Sequence, residues 1–419
     1  MGRRKPTAID LCCGVGGMSL GFKQAGFRVV GAFDNEARHI RAYKKNFPSV
    51  PALTVDLRRV TGDELMDMVG CKSEVDLVFG GPPCQGFSVG GRRDANDERN
   101  QLIYEFARLV RQIKPKYFVL ENVNGLMLGH ATKMLDSFVH RARLAGYRVV
   151  EDIRALNAAD FGVPQRRKRA FVIGYRSDMA RPAYPEPTPI IDSLGKVYYP
   201  VVRDAISDLP TIEEYGELFD EDGYAGPLGE PSHYARLMRG EIKESSDSLP
   251  LRSRNGNPLT GCLRTRHNTR SIARFARTLP GCAEPVSRFH RLSYESFAPT
   301  IRAGTGTDRG SHTSPRPIHP EYPRCITVRE AARLHSYPDW FDFDPRRWHA
   351  FRQIGNSVPP RLARMVAREI LKTMRLQSKC RGKTHGETNE TVRRRPGEPC
   401  KVILCRNAHQ RHRPKRCRS

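Results

Sequence analysis

Thr7-Ala8-Ile9-Asp10-Leu11-Cys12-Cys13-Gly14-Val15-Gly16-Gly17 passes from a short aliphatic run into a glycine cluster and on into a helical stretch. A strand that turns through glycines into a helix presents backbone N–H groups to a ligand, because no Cβ holds the ligand away. The spacing departs from G-x-G-x-x-G, which speaks against a nicotinamide dehydrogenase and leaves a plain tight turn as the other reading of this segment alone. The same alternation continues outward. Thr7 to Leu11, Arg28 to Phe33, Leu53 to Val55, Val75 to Phe79, Tyr117 to Leu120 and Ala170 to Tyr175 read as Val/Ile/Phe-rich strands. Leu102 to Ile113 has helical periodicity and stops at Lys114-Pro115. Strands alternating with helices over the first 175 residues predict an α/β fold, a doubly wound parallel sheet with helices on both faces.

Beyond that core the pattern changes. From 177 to 324 it dissolves into Pro, Gly and Arg, as in Arg181-Pro-Ala-Tyr-Pro-Glu-Pro-Thr-Pro, and reads as a smaller, irregular second domain. Helical order returns at Thr327 to His335 and again at Arg361 to Met374, after Pro359-Pro360. The expected organisation is therefore 1–176 as the first part of the sheet domain, 177–324 as the irregular domain, 325–376 as a return to the first, and 377–419 as a basic, disordered tail.

Charge narrows the function. The 419 residues hold 71 Lys and Arg against 45 Asp and Glu, a formal net charge of +26, so a polyanionic partner is expected. The last 44 residues contribute 13 Lys and Arg against three Glu. A hydrophobic content of 38% and no uninterrupted run of eighteen apolar residues exclude a membrane-spanning helix. The basic start lacks a signal-peptide apolar region, and Pro6 spoils a myristoylation pattern. Eleven cysteines without framework spacing suit a reducing, cytoplasmic compartment.

Chemistry-bearing residues gather at the predicted carboxyl ends of the strands, where open sheets bind ligands. Asp34 closes the second strand and Asp56 follows the third. Each alone could be a helix cap; with the glycine cluster they suit an adenosine cofactor. Cys84 sits in Gly80-Gly81-Pro82-Pro83-Cys84-Gln85-Gly86, a rigid loop after the fourth strand. Most cysteines are small buried hydrophobes, but nearby helix N-terminal N–H groups at such a loop favour a nucleophilic thiolate.

At these residues the chain resembles the DNA (cytosine-5)-methyltransferases. Pro83-Cys84-Gln85 matches the family's nucleophile motif, Glu121-Asn122-Val123 its ENV motif, Gln165-Arg166-Arg167-Lys168-Arg169 its Q-x-R-x-R motif, and Gly355-Asn356-Ser357-Val358-Pro359-Pro360 its late turn. Asp10 to Gly17 resembles the cofactor loop, with Cys12 in place of the usual aromatic, and Val328 to Leu334 resembles the helix that opens the closing segment. The motifs keep the family's order from residue 7 to about 375.

The resemblance implies a Rossmann-like domain that uses S-adenosyl-L-methionine, releases S-adenosyl-L-homocysteine and needs no metal, with a target-recognition domain in the irregular stretch. It implies Cys84 as nucleophile on C6 of a flipped cytosine, Glu121 as the proton-holding acid, Arg167 and Arg169 as guanidinium ligands of the base and its loop, and Asn122 as the anchor of the cysteine loop. For the cofactor it implies Asp10, Cys12, Gly14, Val15, Gly16, Gly17, Pro83, Leu102, Asn356 and Ser357. Asp56 and Leu57 meet the adenine; the ribose falls to Asp34 or Glu36, with Asp34 favoured because it ends the strand. Double-stranded DNA would meet Gln85, Ser88, Arg92, Arg93, Arg99 and Gln165, and, in the recognition region, Arg264, Arg266 and Arg270. An RNA-methylating enzyme of the same architecture is the nearest alternative, and the long insert argues against it. The arrangement suggests a monomeric prokaryotic or phage modification enzyme, nucleoid-associated, whose companion endonuclease would share its target site without a direct complex. Cys400, Cys405, His409, His412 and Cys417 in the tail lack the C-x2-C pairs of zinc sites.

Deleting the residues after 378 should weaken nonspecific DNA binding and flatten its salt dependence between about 50 and about 200 mM, without changing site choice. Fluorescence anisotropy on random duplexes measures the first; an altered recognition site would refute the tail's assignment.

Overall fold

The computed structural model describes residues 4–83, 101–192, 194–304 and 316–386, apart from the side chains of His130 and of 379–386. Residues 1–377 cluster as one compact unit and 378–419 as another. In chain order the first unit opens with β1 (Thr7–Leu11), α1 (Gly17–Ala25), β2 (Arg28–Asp34), α2 (Ala37–Asn46), β3 (Ala52–Thr54), α3 (Gly62–Met68), β4 (Leu77–Gly80), α4 (Gln101–Ile113), β5 (Tyr117–Val123) and α5 (Thr132–Leu144). Three further strands follow, β6 (Tyr147–Val149), β7 (Arg154–Asn157) and β8 (Lys168–Arg176).

The sheet order is β3-β2-β1-β4-β5-β8-β6, with β7 also paired to β8. The first five strands are parallel. Strand direction is where the wholly parallel expectation fails, because β8 runs antiparallel to β5 and β6 and β7 run antiparallel to β8. Neither β6 nor β7 was foreseen: three and four residues, with Arg148 and Arg154 outward, are too few to show a period-two pattern.

Alternation along each strand sends side chains to two cores, as a sheet covered on both faces requires. Ala8, Leu77, Phe79, Tyr117 and Val119 face one core with α1 and the C-terminal helices, while Ile9, Leu11, Val78, Phe118 and Leu120 face the other with α4 and α5. On the first face Phe79 stacks on Phe22 at 4.1 Å between centroids. Gly80 is required because a Cβ there would lie 1.9 Å from the Leu11 carbonyl oxygen.

The stretch after β8 is irregular but not empty. It carries a two-stranded pair, β9 (Ile190–Ile191) with β10 (Val197–Tyr198), and the short helices α6 (Val202–Ile206), α7 (His233–Arg239) and α8 (Thr269–Arg277). Tyr184, Ile190, Val202, Leu292 and Ile301 join the α1-side core. Two small clusters stand apart from it, one around Ile212, Tyr224 and Leu259 and one around Phe275, Ile318 and Cys325.

The chain then forms α9 (Val328–Leu334), α10 (Arg347–Asn356) and α11 (Pro360–Gly386). The last helix runs ten residues past 376, with no proline in that stretch to stop it. Thr327 starts α9 with a capping box closed by Glu330. All seven residues of α9 are buried, and its charges are paired. Arg333 reaches Asp208 at 3.2 Å and Asp339 at 2.5 Å, and Glu330 reaches Arg324 at 2.8 Å. Burial alone would raise the Glu330 carboxyl, but Arg324, His319 and the Thr327 N–H outweigh it and hold it at about 2.

Because that folded value lies below the unfolded one, Glu330 stabilises the fold above the ordinary carboxylate range, and its contribution, roughly 3 kcal/mol, is lost as the pH falls toward 2. Urea midpoints of the wild type should drop across that interval. Glu330→Gln should be weaker at neutral pH and fall less steeply over the same acid range, where other lowered carboxyls such as Asp56 and Asp76 still titrate; a variant curve parallel to the wild type would contradict the buried pairing.

Candidate active site

The carboxyl ends of β1 to β5 converge at one edge, and the antiparallel sense of β8 brings its beginning to that same edge. There Val123 pairs with Arg169 and Asn122 with Ala170 in register. The consequence is an ion pair, Arg169 Nε to Glu121 Oε1 at 3.1 Å, with both side chains nearly buried. Burial raises the Glu121 carboxyl, opposed by Arg169 and Arg167. Gly81 makes the room: a Cβ there would lie 2.6 Å from Glu121 Oε2. Asn122 Nδ2 donates to the Pro82 carbonyl at 3.0 Å, so β5 grips the backbone two residues before Cys84. Cys84, Gln85, Ser88, Arg92, Arg93 and Arg99 lie outside the described residues.

At the end of β1 the chain turns with positive φ at Cys12 (64°), Gly14 (53°) and Gly16 (95°) before α1 begins at Gly17. Beside Gly14 the space is open, with no atom within 4 Å of a Cβ position, whereas at Gly16 a Cβ would meet the Phe47 ring at 2.5 Å. Asp10 does not face the crevice; it is buried, accepts from Ser19 Oγ at 2.6 Å and is tied through Ser19 to Tyr43. Val15 is likewise a core side chain, as is Leu57, while Leu102 is partly buried against the α4 core.

The two carboxylates considered for a ribose part company. Asp34 accepts from Gly14 N and Glu36 N, both at 2.9 Å, and faces His39 Nδ1 at 3.1 Å, so it anchors the glycine loop to β2. Glu36, at the start of α2, is exposed and accepts only from Arg38 N among the described hydrogen bonds. The preference for Asp34 rested on its strand-end position, and the tertiary contacts show that position to be spent on the loop. Asp56 caps the turn after β3, and its hydrogen bonds from Arg58 hold its carboxyl below the usual range.

Arg167 and Gln165 belong to the packing rather than to the crevice. Arg167 is fully buried and donates to the carbonyls of Ile301, Gly355 and Ser357 at 3.0, 2.7 and 2.7 Å. With both terminal nitrogens spent on backbone, it cannot meet a base; Arg169 alone of the pair faces Glu121. Gln165, expected on DNA, is also fully buried and accepts from Ile301 N at 3.1 Å while donating to Leu334 O at 3.2 Å. Strand alternation would give residues two apart the same face, so the split comes from tertiary cover: Gln165 lies under 301 and 334–335 and Arg167 under 301 and 355–357, both before β8 begins and beyond the reach of solvent.

Asn356 is exposed, and the turn it shares with Ser357 lies against α1, where a Cβ on Gly17 would meet the Ser357 Cβ at 3.2 Å and the Val358 carbonyl at 2.6 Å. In the irregular stretch, Arg264 and Arg266 stack over Phe219 at 4.0 and 4.8 Å, Arg266 also pairs with Asp220 at 2.8 Å, and Arg270 is exposed in the first turn of α8. A cavity of about 270 Å³ lined by Lys23, Trp340, Arg361 and Arg364 lies at the other end of α1 from the glycine loop. Among the described residues no cluster of His, Cys, Asp and Glu could hold a metal, and no helix is long and apolar enough to cross a membrane.

Fold and site together define a doubly wound α/β enzyme whose crevice opens at the carboxyl strand ends, with a carboxylate–guanidinium pair beside a Gly-Pro-Pro loop. Residues 7–372 match the family model of the C-5 cytosine-specific DNA methylases. Over 372 residues the chain is 49% identical to the Type II methyltransferase M.XorII of Xanthomonas oryzae pv. oryzae, covering 88% of this chain and 86% of that one. It is 35% identical over 391 residues to the Type II methyltransferase M.DdeI of Desulfomicrobium norvegicum, covering 86% and 88%. A crystal structure described as a prophage-encoded DNA modification methyltransferase of E. coli superposes with a TM-score of 0.72 at 30% identity, covering 88% of this chain and 100% of that one. The chain belongs to the C-5 cytosine-specific DNA methylase family and is a DNA (cytosine-5)-methyltransferase.

Asp34→Asn removes an acceptor from the loop anchor and should cost about 2 kcal/mol, whereas Glu36→Gln should stay within about 0.5 kcal/mol of the wild type. Denaturant titration reads both, and equal losses would contradict the anchoring role of Asp34.

Proposed function

We propose that the enzyme transfers a methyl group from S-adenosyl-L-methionine to C5 of a flipped-out cytosine in a short duplex DNA sequence, through a covalent bond between Cys84 and C6. The observation that carries this reading is the buried Glu121–Arg169 pair beside the backbone that leads into Cys84.

The residues present suit the cofactor. The open space beside Gly14 lets a ligand approach the backbone, Glu36 offers a carboxylate to ribose hydroxyls, Asp56 lies after β3 for the adenine amino group, and Asn356 and Ser357 return beside Gly17. S-adenosyl-L-methionine supplies an electrophilic methyl group.

C5 of cytosine is a poor nucleophile, so the chain must activate it. The Cys84 thiolate adds to C6, and the C5=C6 electron pair becomes available at C5 as negative charge builds toward N3. A Glu121 carboxyl whose proton is favoured by burial holds that proton at N3, and Arg169, which pairs with that carboxyl, would donate to the base's O2. After C5 is methylated, loss of its proton and breakage of the S–C6 bond restore the aromatic ring and release Cys84. A cytosine within a duplex hides its C6 face, so the base must leave the stack to reach this edge of the sheet.

Residues 177–324 then serve as the recognition region. Arg266 can exchange its exposed Asp220 pair, which contributes little in water, for a phosphate, and Arg270 is already free of the core. The named relatives support a modification enzyme of a restriction–modification system or an orphan counterpart, cytoplasmic and acting on its own DNA.

Expression in a methylation-free bacterial host, followed by base-resolution 5-methylcytosine sequencing, should reveal one short methylated motif. Cys84→Ser should leave the genome unmethylated, and Glu121→Ala should cut turnover by about 10² or more with a smaller change in cofactor affinity. Normal methylation by the soluble Cys84 variant would refute the covalent route.

A further inference from the structure

His335 follows α9 directly and is fully buried, yet the chemistry above makes no use of it. Its surroundings specify it atom by atom. Ser357 O lies 3.1 Å from His335 Nε2 and can only accept, so Nε2 carries the proton and donates. Nδ1 is then an acceptor, and Gln165 Nε2 donates to it at 3.0 Å. Gln165 is itself fixed, because its Oε1 accepts from Ile301 N and its Nε2 also donates to Leu334 O. The Ser357 carbonyl takes a second donor, Arg167 Nη2, which also holds Gly355 O. Burial, with Arg167 nearby, keeps the imidazole neutral. Tyr337 stacks on the ring, 13° from parallel, and its hydroxyl lies 2.5 Å from where a Gly17 Cβ would be.

The network therefore spans two ligand-facing elements. At one end is the turn carrying Asn356 and Ser357, pressed against the start of α1. At the other is the lead-in to β8, two residues before Arg169 and its Glu121 partner. We propose that His335 is a positioning residue that locks the 355–357 turn against the cofactor loop and ties that turn to the strand bearing Arg169, so that cofactor binding depends on its Nε2–H. This rests on the reading that S-adenosyl-L-methionine binds at the glycine loop.

The shape of imidazole supplies the test. A glutamine at 335 places its amide end near the Nε2 position and can still donate to Ser357 O; an asparagine reaches only the Nδ1 position and can satisfy Gln165 alone. Buried volume and polarity are similar in the two. Calorimetric titration of full-length wild type, His335→Ala, His335→Gln and His335→Asn with S-adenosyl-L-methionine, alongside circular-dichroism melting of each, separates position from packing. Ala and Asn should raise the cofactor Kd about tenfold, as loss of one buried hydrogen bond to a positioned carbonyl does, and Gln should return it to within about threefold. DNA affinity without cofactor should stay within about twofold for all four, because the 355–357 turn is the element released. Asn restoring affinity as well as Gln, or Ala leaving it unchanged, would show that His335 only fills space. A wild type that does not bind S-adenosyl-L-methionine would instead overturn the cofactor reading itself, which these variants cannot mimic.

Discussion

A carboxylate and a guanidinium buried together impose the central constraint on this enzyme. Burial favours the proton on Glu121 and disfavours the charge on Arg169, and each group is tolerated out of water because the other lies 3.1 Å away. The pair exists only because β8 is antiparallel to β5, which puts the first residues of one strand beside the last residues of the other. A parallel strand in the same place would bring its far end here and leave Glu121 unpaired. Gly81 is a second condition, since any side chain at that position would occupy the space of the carboxyl. The backbone that leads to Cys84 is thus packed beside an acid whose proton burial favours and Arg169 and Arg167 oppose.

Around that pair the molecule is held by side chains that bind backbone rather than ligand. Arg167 takes three carbonyls, Gln165 takes a peptide N–H and a carbonyl, and Asp34 takes one N–H of the turn after β1, at Gly14, and one just after β2, at Glu36. Irregular chain leaves buried peptide groups without the partners that a helix or sheet supplies. Charged and amide side chains fill that role here, which is why so many arginines are buried in a protein of such positive charge. Arg329 and Arg333 do the same for α9, a helix with no exposed face at all.

Much of the fold was legible because its signals are local. A run such as Val78-Phe79 bounded by glycine declares a strand, the helix ending before Lys114-Pro115 declares its own stop, and every one of the six anticipated strands is present within two residues at its start. The ends of β5 and β8 extend further than anticipated because Glu121, Asn122, Lys168 and Arg169 are polar, and only their pairing across the ladder keeps them extended. The short β6 and β7 carry too little pattern to be seen without the strand they pair with.

For the site, the motifs determined which residue types are present: a cysteine after Gly-Pro-Pro, an acid closing β5, a glycine turn after β1 and a basic run before β8. They could not say which way each side chain points. Gln165, Arg167 and Arg169 share one motif, yet only Arg169 meets Glu121, because contacts from 301, 334–335 and 355–357, more than a hundred residues away, cover the other two. Asp34 and Glu36 are two residues apart, and the choice between anchor and free carboxylate was made by the N–H of Gly14. Sequence thus fixes chemistry and local backbone, since both depend on neighbours along the chain; burial, pairing and protonation depend on neighbours in space, and those only the tertiary structure could decide.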